Sequence, residues 1–359
     1  MRPEFSALST IAVVTSSPPL TEGGHLVIAR ALVRALIDAG HEAGLVTTPS
    51  NRFGRQGAAY LANWLTDVGV TGAGRSVDQV ITLRYPSYAV RHPRHVCWLN
   101  HTMREYYDLW DDFSGRLSPQ GRLKETVRRT LIRAADTYCF THHVTRLFAQ
   151  SAAVRTRLER WNGVSAEVLH PPAPERAYRC DSYGDFLFFV SRLTPLKRAD
   201  LVLQALAKPE AAGVRMVIAG DGEDRPKLEL LARALDLGSR VTFAGHLDDS
   251  ALIDHLSRCR AVVFPPFQED FGFVTVEAFA SSKAVITCKD SGGPLDLVTP
   301  GETGLVVEPD PARLAAAFAE VMASRDLAER LGQAAHTRSA ALTWPSVVAK
   351  LTAPATMAR

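Results

Sequence analysis

The stretch FPPFQEDFGFVTVE, residues 264–277, leads from a buried strand into a helix. It begins at the end of the apolar run Ala261–Phe264, which is typical of a strand covered on both faces. Pro265 and Pro266 end that strand, since proline has no N–H to donate to a sheet. A helix is predicted from Val274 to Ala280. The stretch therefore predicts one strand–loop–helix unit of a parallel α/β fold.

Two carboxylates, Glu269 and Glu277, bracket Gly272 at this junction. Backbone N–H groups at a helix N-terminus attract anions, and a glycine there lets a phosphate approach closely. Carboxylates are poor partners for phosphate and good acceptors for hydroxyl groups. Phosphate together with many hydroxyls indicates a sugar nucleotide. The pair could instead be the acid and base of a glycosidase, which needs carboxyls about 5–9 Å apart, and the sequence does not fix that separation.

Predicted strands and helices alternate along the chain in two series. The first opens with a strand at 11–16 and a helix at 25–39. The second begins at Phe186–Val190, a continuous apolar strand. Between them lies the proline-rich stretch 170–174, which no regular element can include. These patterns predict an α/β protein with two Rossmann-like halves.

Candidate phosphate-binding groups follow the first strand of each series. Arg192 and Lys197 lie in the loop after the strand at 186–190. A guanidinium can hold two phosphate oxygens and a lysine adds a compact charge, so the pair could stabilise a departing nucleoside diphosphate without a metal. The alternative for these two cations is a solvated loop. Gly23 and Gly24 occupy the first strand-to-helix turn, where Rossmann-like folds hold phosphates.

The turn Gly220-Asp221-Gly222 resembles the start of a dinucleotide fingerprint but lacks the third glycine. The acidic Glu223 and Asp224 that follow would repel a pyrophosphate. A tight turn near a nucleoside and a purely structural turn both fit. Because the turn at 23–24 also lacks the GxGxxG spacing, a nicotinamide-dependent dehydrogenase is the least favoured class of enzyme.

A second polar cluster follows the buried strand that starts at His95. The strand is predicted to end at Asn100 and His101, and Arg104 comes shortly afterwards. Ligands of open α/β sheets collect at the carboxyl ends of strands, so these residues are candidates for binding or catalysis. A structural histidine is the alternative. The following stretch, 106–110, is expected to add aromatic surface to the same region.

Length and composition exclude several classes. At 359 residues, 46% of them hydrophobic and 22% charged, the chain has the size of a two-domain globular protein. No apolar run reaches the length of a membrane span, and the N-terminus lacks a signal-peptide pattern. The five cysteines are scattered, which disfavours disulfides and zinc and favours a cytoplasmic location. Neither His142-His143 nor Asp111-Asp112 has a convincing set of metal-binding partners.

The net charge of +3 is too small to indicate nucleic acid, but it is unevenly distributed. Residues 1–172 hold 20 Lys and Arg against 14 Asp and Glu. The basic excess concentrates in 116–133, where Glu125 is the one acid. This segment could be a solvated helix face, or a surface that meets anionic lipid at the inner membrane face or an anionic acceptor.

Taken in order, these motifs resemble the GT4 family of retaining glycosyltransferases, which have the GT-B fold. The family's E-x7-E motif matches Glu269 to Glu277, and its Arg…Lys pair matches SRLTPLKR, residues 191–198. Its G-D-G turn matches 220–222, and its N-terminal glycine-rich turn matches 23–24. The active-site histidine of its first domain matches His101 in WLNHTMREYYDLW. The resemblance covers nearly the whole chain and is strongest from about 185 to 309.

The resemblance implies a role for each matching residue. The donor diphosphate would be bound by Arg192 and Lys197, with Gly24 allowing close backbone approach. Glu277 would hold the ribose hydroxyls and Glu269 the donor sugar. The implied donor-binding residues are Gly23, Gly24, Arg192, Lys197, Gly220, Asp221, Glu269, Asp270, Phe271, Gly272, Phe273, Val274 and Glu277. The implied catalytic residues are His101, Arg192, Lys197 and Glu269, and the acceptor side would include Asn100, His101 and Arg104.

The same resemblance implies two Rossmann-like parallel-sheet domains that face each other across a cleft. Residues 1–170 would bind the acceptor, 171–184 would be a linker, 185–340 would bind the nucleotide sugar, and 341–359 would cross back to the first domain. It also implies a metal-independent enzyme that moves a hexosyl unit from a UDP- or GDP-sugar to an acceptor hydroxyl. The acceptor could be a saccharide, a lipid carrier or a small molecule. Two rivals stay open: a nucleotide-sugar epimerase or hydrolase, and a non-catalytic sugar-nucleotide binder.

Overall fold

The computed structural model describes residues 8–18, 20, 23–50 and 54–354. Residues 1–7, where no signal-peptide pattern was predicted, and part of the loop before Gly23 lie outside this description. The chain forms two compact units, one of residues 1–171 and 343–359, the other of residues 172–342. Within the described ranges, no helix combines the length and the apolar character needed to cross a bilayer.

The first unit is built on a six-stranded parallel sheet with the order β2-β1-β3-β4-β5-β6. Its strands are β1 (Thr10–Ser17), β2 (Glu42–Pro49), β3 (Gln79–Thr82), β4 (His95–Leu99), β5 (Arg146–Ala149) and β6 (Glu167–Val168). Its helices before the second unit are α1 (Gly24–Asp38), α2 (Gln56–Leu65), α3 (Trp110–Gly115), α4 (Pro119–His142) and α5 (Ala152–Asn162).

Local chemistry sets several of these helix ends. The Ser151 hydroxyl accepts from the Val154 N–H and caps α5, which ends at Gly163 in the left-handed conformation. Ser118 caps α4 in the same way, and Pro119 fits the first helical position. α2 ends at Leu65 because Thr66 takes an extended conformation.

The second unit contains another six-stranded parallel sheet, with the order β12-β11-β10-β7-β8-β9. Its strands are β7 (Phe186–Val190), β8 (Arg215–Ala219), β9 (Val241–Gly245), β10 (Ala261–Val263), β11 (Val285–Cys288) and β12 (Gly304–Val307). Its helices are α6 (Ala199–Leu206), α7 (Arg225–Ala234), α8 (Asp249–Arg258), α9 (Phe273–Ala280), α10 (Pro311–Ala323) and α11 (Arg325–Ala340). The prediction of two Rossmann-like parallel-sheet halves is confirmed.

The strand order of the second unit determines which loops are neighbours. β10 pairs with β7, and β7 with β8, all in parallel register. β11 lies on the other side of β10. The loops after these four strands therefore leave one edge of the sheet side by side, and they carry most of the predicted donor-binding residues.

The last helix, α12 (Trp344–Thr352), belongs to the first unit. The Gln79 side chain donates to the Leu351 carbonyl at 2.8 Å, and Arg146 donates to the Ala353 carbonyl at 2.8 Å. Trp344 meets Trp98 edge to face, with ring centroids 6.3 Å apart. These contacts hold the chain end against the first sheet.

Candidate functional site

The loops after β7 and β8 pack backbone to backbone. The Leu193 N–H donates to the Asp221 carbonyl at 2.9 Å. A Cβ at Gly220 would overlap the Ser191 carbonyl oxygen, and one at Gly222 would overlap that of Leu193. Gly220 also has a φ of +116°, which favours glycine. The G-D-G turn therefore has a structural role: it lets the loop that carries Arg192 and Lys197 lie directly against the end of β8.

Arg192 and Lys197 differ in their surroundings. Arg192 is exposed, and its side chain makes no hydrogen bond or ion pair within the described part of the chain. The Lys197 ammonium forms an ion pair with Glu269, and the two side chains are 20% and 18% exposed. It also lies 5.5 Å from the ring centre of Phe264. The cation expected to bind phosphate and the carboxylate expected to bind sugar are thus each other's partners.

Arg198, which the sequence placed in the loop without a role, ties three loops together. Its guanidinium donates to the Pro265 and Pro266 carbonyls at 2.9 and 2.6 Å. It also forms a two-pronged ion pair with Asp290, at 3.0 and 2.7 Å. The loops after β7, β10 and β11 are held together by this one side chain. No local spacing pattern identifies such a residue, because its partners lie 67 or more positions away.

The turn at 268–273 is fixed by the loop after β11. The Glu269 N–H donates to the Ser291 carbonyl at 2.8 Å, and Gly293 returns an N–H to the Glu269 carbonyl at 2.9 Å. Gly272 has a φ of +82° and precedes the first residue of α9 without a side-chain cap. A Cβ there would press on the Phe264 ring. These contacts fix the backbone between Glu269 and the first residue of α9.

Glu277 lies in α9 with its side chain 10% exposed. Its Oε1 accepts from Arg176 and, at 3.4 Å, from the Tyr178 hydroxyl. Burial raises the pKa of Glu277 to about 6, while the Arg176 charge opposes that rise. Arg176 also pairs with Asp249 at 3.0 Å. Arg176 and Tyr178 both come from the segment 171–184 that was predicted as a linker, and no sequence motif connects this segment with Glu277.

The residues predicted for the acceptor side follow β4 as expected. His101 Nδ1 lies 2.7 Å from the Thr102 carbonyl oxygen. The Arg104 guanidinium is held by both carboxylate oxygens of Asp108, with a shortest distance of 2.6 Å, and Arg157 lies 3.3 Å from the same carboxylate. Asn100 follows directly on the last residue of β4.

Gly23 and Gly24 begin the first helix of the chain. Gly23 is extended and precedes α1, which starts at Gly24, one residue earlier than predicted. The His25 ring turns toward Ser17, with Nε2 3.1 Å from its hydroxyl. The histidine next to the glycine pair thus contacts the end of β1.

The stretch at 106–110 was expected to add aromatic surface, but its rings are buried. Tyr106 is fully buried, and its hydroxyl donates to Glu125 at 2.6 Å. The Tyr107 hydroxyl donates to Asp136 at 2.6 Å, and Asp136 also accepts from Tyr60 and Tyr88. Carboxylates inside the unit explain this burial, because they give the phenolic hydroxyls partners away from water.

The basic segment 116–133 is divided between two faces of α4. Arg129 stacks on Trp110 at 4.7 Å and donates to the Tyr106 carbonyl at 2.8 Å. Arg133 stacks on Trp161 at 4.8 Å. These two cations therefore pack against aromatic rings and do not form a solvated face. Three apolar side chains on another face of α4 are exposed by more than half: Leu123 at 70%, Val127 at 55% and Leu131 at 65%.

Within the described ranges, no three His, Cys, Asp or Glu side chains lie together as the ligands of a metal ion would. The two candidate carboxylates have separate cationic partners, Lys197 for Glu269 and Arg176 for Glu277. Chemically, the second unit offers an exposed guanidinium, an ammonium and two carboxylates along the loops and helix that follow adjacent strands.

Part of the chain is similar in sequence to known glycosyltransferases. The chain is 33% identical to the GDP-mannose-dependent alpha-mannosyltransferase of Mycolicibacterium smegmatis over 201 residues, 54% of this chain and 50% of that protein. It is 30% identical to the D-inositol 3-phosphate glycosyltransferase of Streptomyces scabiei over 248 residues, 61% of this chain and 53% of that protein. The chain thus spans about half the length of these curated relatives.

Solved structures show the same fold. Sucrose-phosphate synthase from Thermosynechococcus elongatus matches with a TM-score of 0.73 and 20% identity, covering 96% of this chain and 97% of that one. Anabaena Alr3699/HepE, solved in complex with UDP and glucose, matches with a TM-score of 0.68 and 15% identity, covering 95% and 98%. The GT-B fold that the motifs predicted is confirmed.

The family model for glycosyl transferases group 1 matches residues 177–338, a range that lies within the second unit and contains Arg192, Lys197, Glu269 and Glu277. The predicted resemblance to group 1 glycosyltransferases is confirmed over this range. Residues 177–338 of the chain belong to the glycosyl transferases group 1 family.

Proposed function

We propose that the chain is a retaining glycosyltransferase that moves a hexosyl unit from a UDP- or GDP-sugar to an acceptor hydroxyl without a metal. The observation that carries this proposal is the juxtaposition of Arg192, Lys197 and Glu269 on adjacent loops of a group 1 domain. The named relatives add support, since one is GDP-mannose-dependent and a structural neighbour was solved with UDP and glucose.

In this proposal the two cations act on the diphosphate. Arg192 is exposed and can form two parallel hydrogen bonds to phosphate oxygens. Lys197 exchanges its partner: it leaves Glu269 and turns to the phosphate, and Glu269 then accepts hydrogen bonds from donor-sugar hydroxyls. As the sugar–phosphate bond breaks, both cations stabilise the negative charge that collects on the leaving nucleotide.

The remaining predicted residues take supporting roles. The N–H groups of Phe273 and Val274 in the first turn of α9 face anionic or hydroxyl oxygens of the donor. Asp270, Phe271 and Gly272 shape the turn that selects the donor sugar. In the second unit the backbones of Gly220 and Asp221 lie near the nucleoside. In the first unit, Asn100, His101 and Arg104 serve the acceptor side.

The test is a donor panel followed by turnover. Thermal shifts with UDP-, GDP-, ADP- and dTDP-sugars identify the donor, and release of the nucleotide is then measured in EDTA with a panel of saccharide, lipid and small-molecule acceptors. We expect acceptor-dependent release and a product with the donor's anomeric configuration by NMR. Lys197→Ala and Arg192→Ala should each lower kcat by about 10²–10³ with unchanged melting temperature. Wild-type rates in both variants would contradict the role of the cations.

The rival enzyme functions predict a different result in the same assay. An epimerase or hydrolase converts the donor when no acceptor is present. A non-catalytic binder shows thermal shifts and no release with any acceptor. Release that requires an acceptor separates the transferase from both.

Peripheral contact with an anionic membrane is part of the proposal for the first unit. The exposed Leu123, Val127 and Leu131 form a ridge on α4, and the exposed cations Arg122 and Lys124 flank it. Such a face can insert apolar side chains among lipid headgroups while its cations meet their phosphates. This combination replaces the earlier prediction that rested on the cations of 116–133 alone, because Arg129 and Arg133 pack on aromatic rings.

Vesicle pelleting tests this contact. With phosphatidylglycerol vesicles we expect the wild type to pellet and Leu131→Glu to stay in the supernatant. The matched control is Leu230→Glu, which changes a leucine of similar exposure, 62%, in α7 of the second unit. Equal pelleting of the wild type and Leu131→Glu would contradict the contact.

A further inference from the structure

Arg176 lies outside every motif that led to the proposed function, yet it makes the strongest contact with Glu277. It belongs to the segment between residues 172 and 184, which contains no helix or strand. Its guanidinium bridges two carboxylates, Glu277 of α9 and Asp249 at the start of α8. The side chain is 17% exposed, so this bridge is largely shielded from water.

We propose that Arg176 is a positioning residue for nucleotide binding, which holds one oxygen of the Glu277 carboxylate and leaves the other to accept the ribose hydroxyls. This inference rests on the proposed function, in which Glu277 binds the ribose. Arg176 is not part of any sequence motif, and its positive charge is needed because it faces the buried carboxylate of Glu277.

The geometry of the carboxylate carries the proposal. Arg176 and Tyr178 both contact Oε1 of Glu277. Oε2 has no hydrogen-bond partner among the residues that the structure describes. A carboxylate fixed through one oxygen presents the lone pairs of the other in a fixed direction, which suits two adjacent hydroxyl donors.

Electrostatics explains why the partner is an arginine. A carboxyl group in so buried a position tends to take up a proton, and a protonated carboxyl is a weaker acceptor than a carboxylate. Three charged or titratable groups face Glu277: Arg176 and Tyr178 from the segment, and Asp249 from α8. Arg176 is the one cation among them, and it opposes the effect of burial on the pKa of Glu277.

The segment is anchored independently of this contact, which makes the proposal testable. Arg179 pairs with Asp181 and Asp254 on the outside of the unit, with its side chain 45% exposed. The Ser257 hydroxyl donates to Asp181 at 2.8 Å. Replacing Arg176 therefore leaves other contacts to hold the segment. Arg179 provides a matched control, since it is an arginine three positions away that does not touch Glu277.

The experiment is calorimetric titration of UDP and GDP into wild type, Arg176→Met, Arg176→Lys, Arg179→Met and Glu277→Gln, from pH 5.5 to 8.5. Each dissociation constant is divided by the wild-type value at the same pH, so that the titration of the nucleotide's own phosphate cancels. Losing an opposite charge raises a carboxyl pKa by about 1–3 units, so we expect Arg176→Met to bind about tenfold more weakly at pH 6.5 and to approach the wild type at pH 8.5. Arg176→Lys should restore most of the affinity, and Arg179→Met should match the wild type.

The outcomes separate this inference from the proposed function. A ratio for Arg176→Met of one at every pH, or a loss that does not vary with pH, would overturn the positioning role. If Glu277→Gln weakens binding and Arg176→Met does not, the inference fails and the ribose-binding role of Glu277 stands. If Glu277→Gln binds like the wild type, or neither nucleotide binds the wild type, the proposed function fails and the inference with it.

Discussion

The two units each bury a carboxylate, and they do so with different partners. Asp136 in the first unit is fully buried and accepts hydrogen bonds from the hydroxyls of Tyr60, Tyr88 and Tyr107. Glu277 in the second unit accepts from an arginine and a tyrosine. Burial raises the pKa of Asp136 well above its usual value, whereas the pKa of Glu277 rises only to about 6.

The charge of the partner is what distinguishes Asp136 from Glu277. Neutral hydroxyls satisfy the oxygens of Asp136 but do not offset the cost of burying a charge, so burial raises the pKa of this carboxyl. A guanidinium offsets that cost, so Glu277 stays ionised near neutral pH. The tyrosines also occupy both oxygens of Asp136, while one oxygen of Glu277 is left for a ligand.

The largest expected effect is on the stability of the first unit. Asp136→Ala removes the acceptor of three buried or partly buried hydroxyls, and we expect it to lower the free energy of unfolding by about 3 kcal/mol or more. Asp136→Asn keeps the shape and an acceptor oxygen, and should cost about 1 kcal/mol or less. Urea denaturation measures both. A stable Asp136→Ala variant would break the assignment of Asp136 to structure.

An intermediate effect distinguishes the two carboxyls by function. Glu277→Gln replaces a charged acceptor by a neutral one and should weaken nucleotide binding by about 2 kcal/mol, roughly thirtyfold. The equivalent change in the first unit, Asp136→Asn, should leave the dissociation constant unchanged. Calorimetric titration with UDP and GDP compares them, and equal losses in both variants would remove the distinction.

A third effect concerns pH. The folded-state pKa of Asp136 lies above its unfolded value of about 3.8, so its contribution to stability is complete below that value and is lost as the pH rises toward the folded-state pKa. The difference in unfolding free energy between wild type and Asp136→Asn should therefore fall by about 1.4 kcal/mol per pH unit in that range.

Denaturation series at pH 5, 6 and 7 measure this slope. For Glu277 the ionised form binds the ribose, so nucleotide affinity should rise through about pH 6 and level off above it. A stability difference for Asp136→Asn that stays constant over the series would show that the carboxyl is ionised in the folded state.

Local patterns in the sequence predicted the sheets and the motif loops well. Phe186–Val190 forms a strand with the predicted bounds, since a continuous apolar run between turn residues has few other solutions. The family motifs identified the loops of the second unit because each lies within a short stretch of sequence.

Contacts between distant residues could not be predicted in this way. Arg176 pairs with Glu277 across 101 positions, and Tyr60 reaches Asp136 across 76. Arg198 is a further case. Its guanidinium donates to the backbone carbonyls of Pro265 and Pro266, and proline side chains do not indicate that a cation lies nearby. The prediction that the stretch 106–110 adds aromatic surface was wrong for the same reason. The carboxylates that bind its tyrosine hydroxyls, Glu125 and Asp136, lie on a later helix.

The most direct test of the central claim is calorimetric titration of UDP and GDP in EDTA into the wild type, Arg192→Ala, Lys197→Ala and the double variant. We expect one site per chain for at least one nucleotide without a divalent metal, binding weakened at least about tenfold in each single variant, and no measurable binding in the double variant. Binding of wild-type strength in the double variant, or binding that appears only when a metal is added, would contradict it.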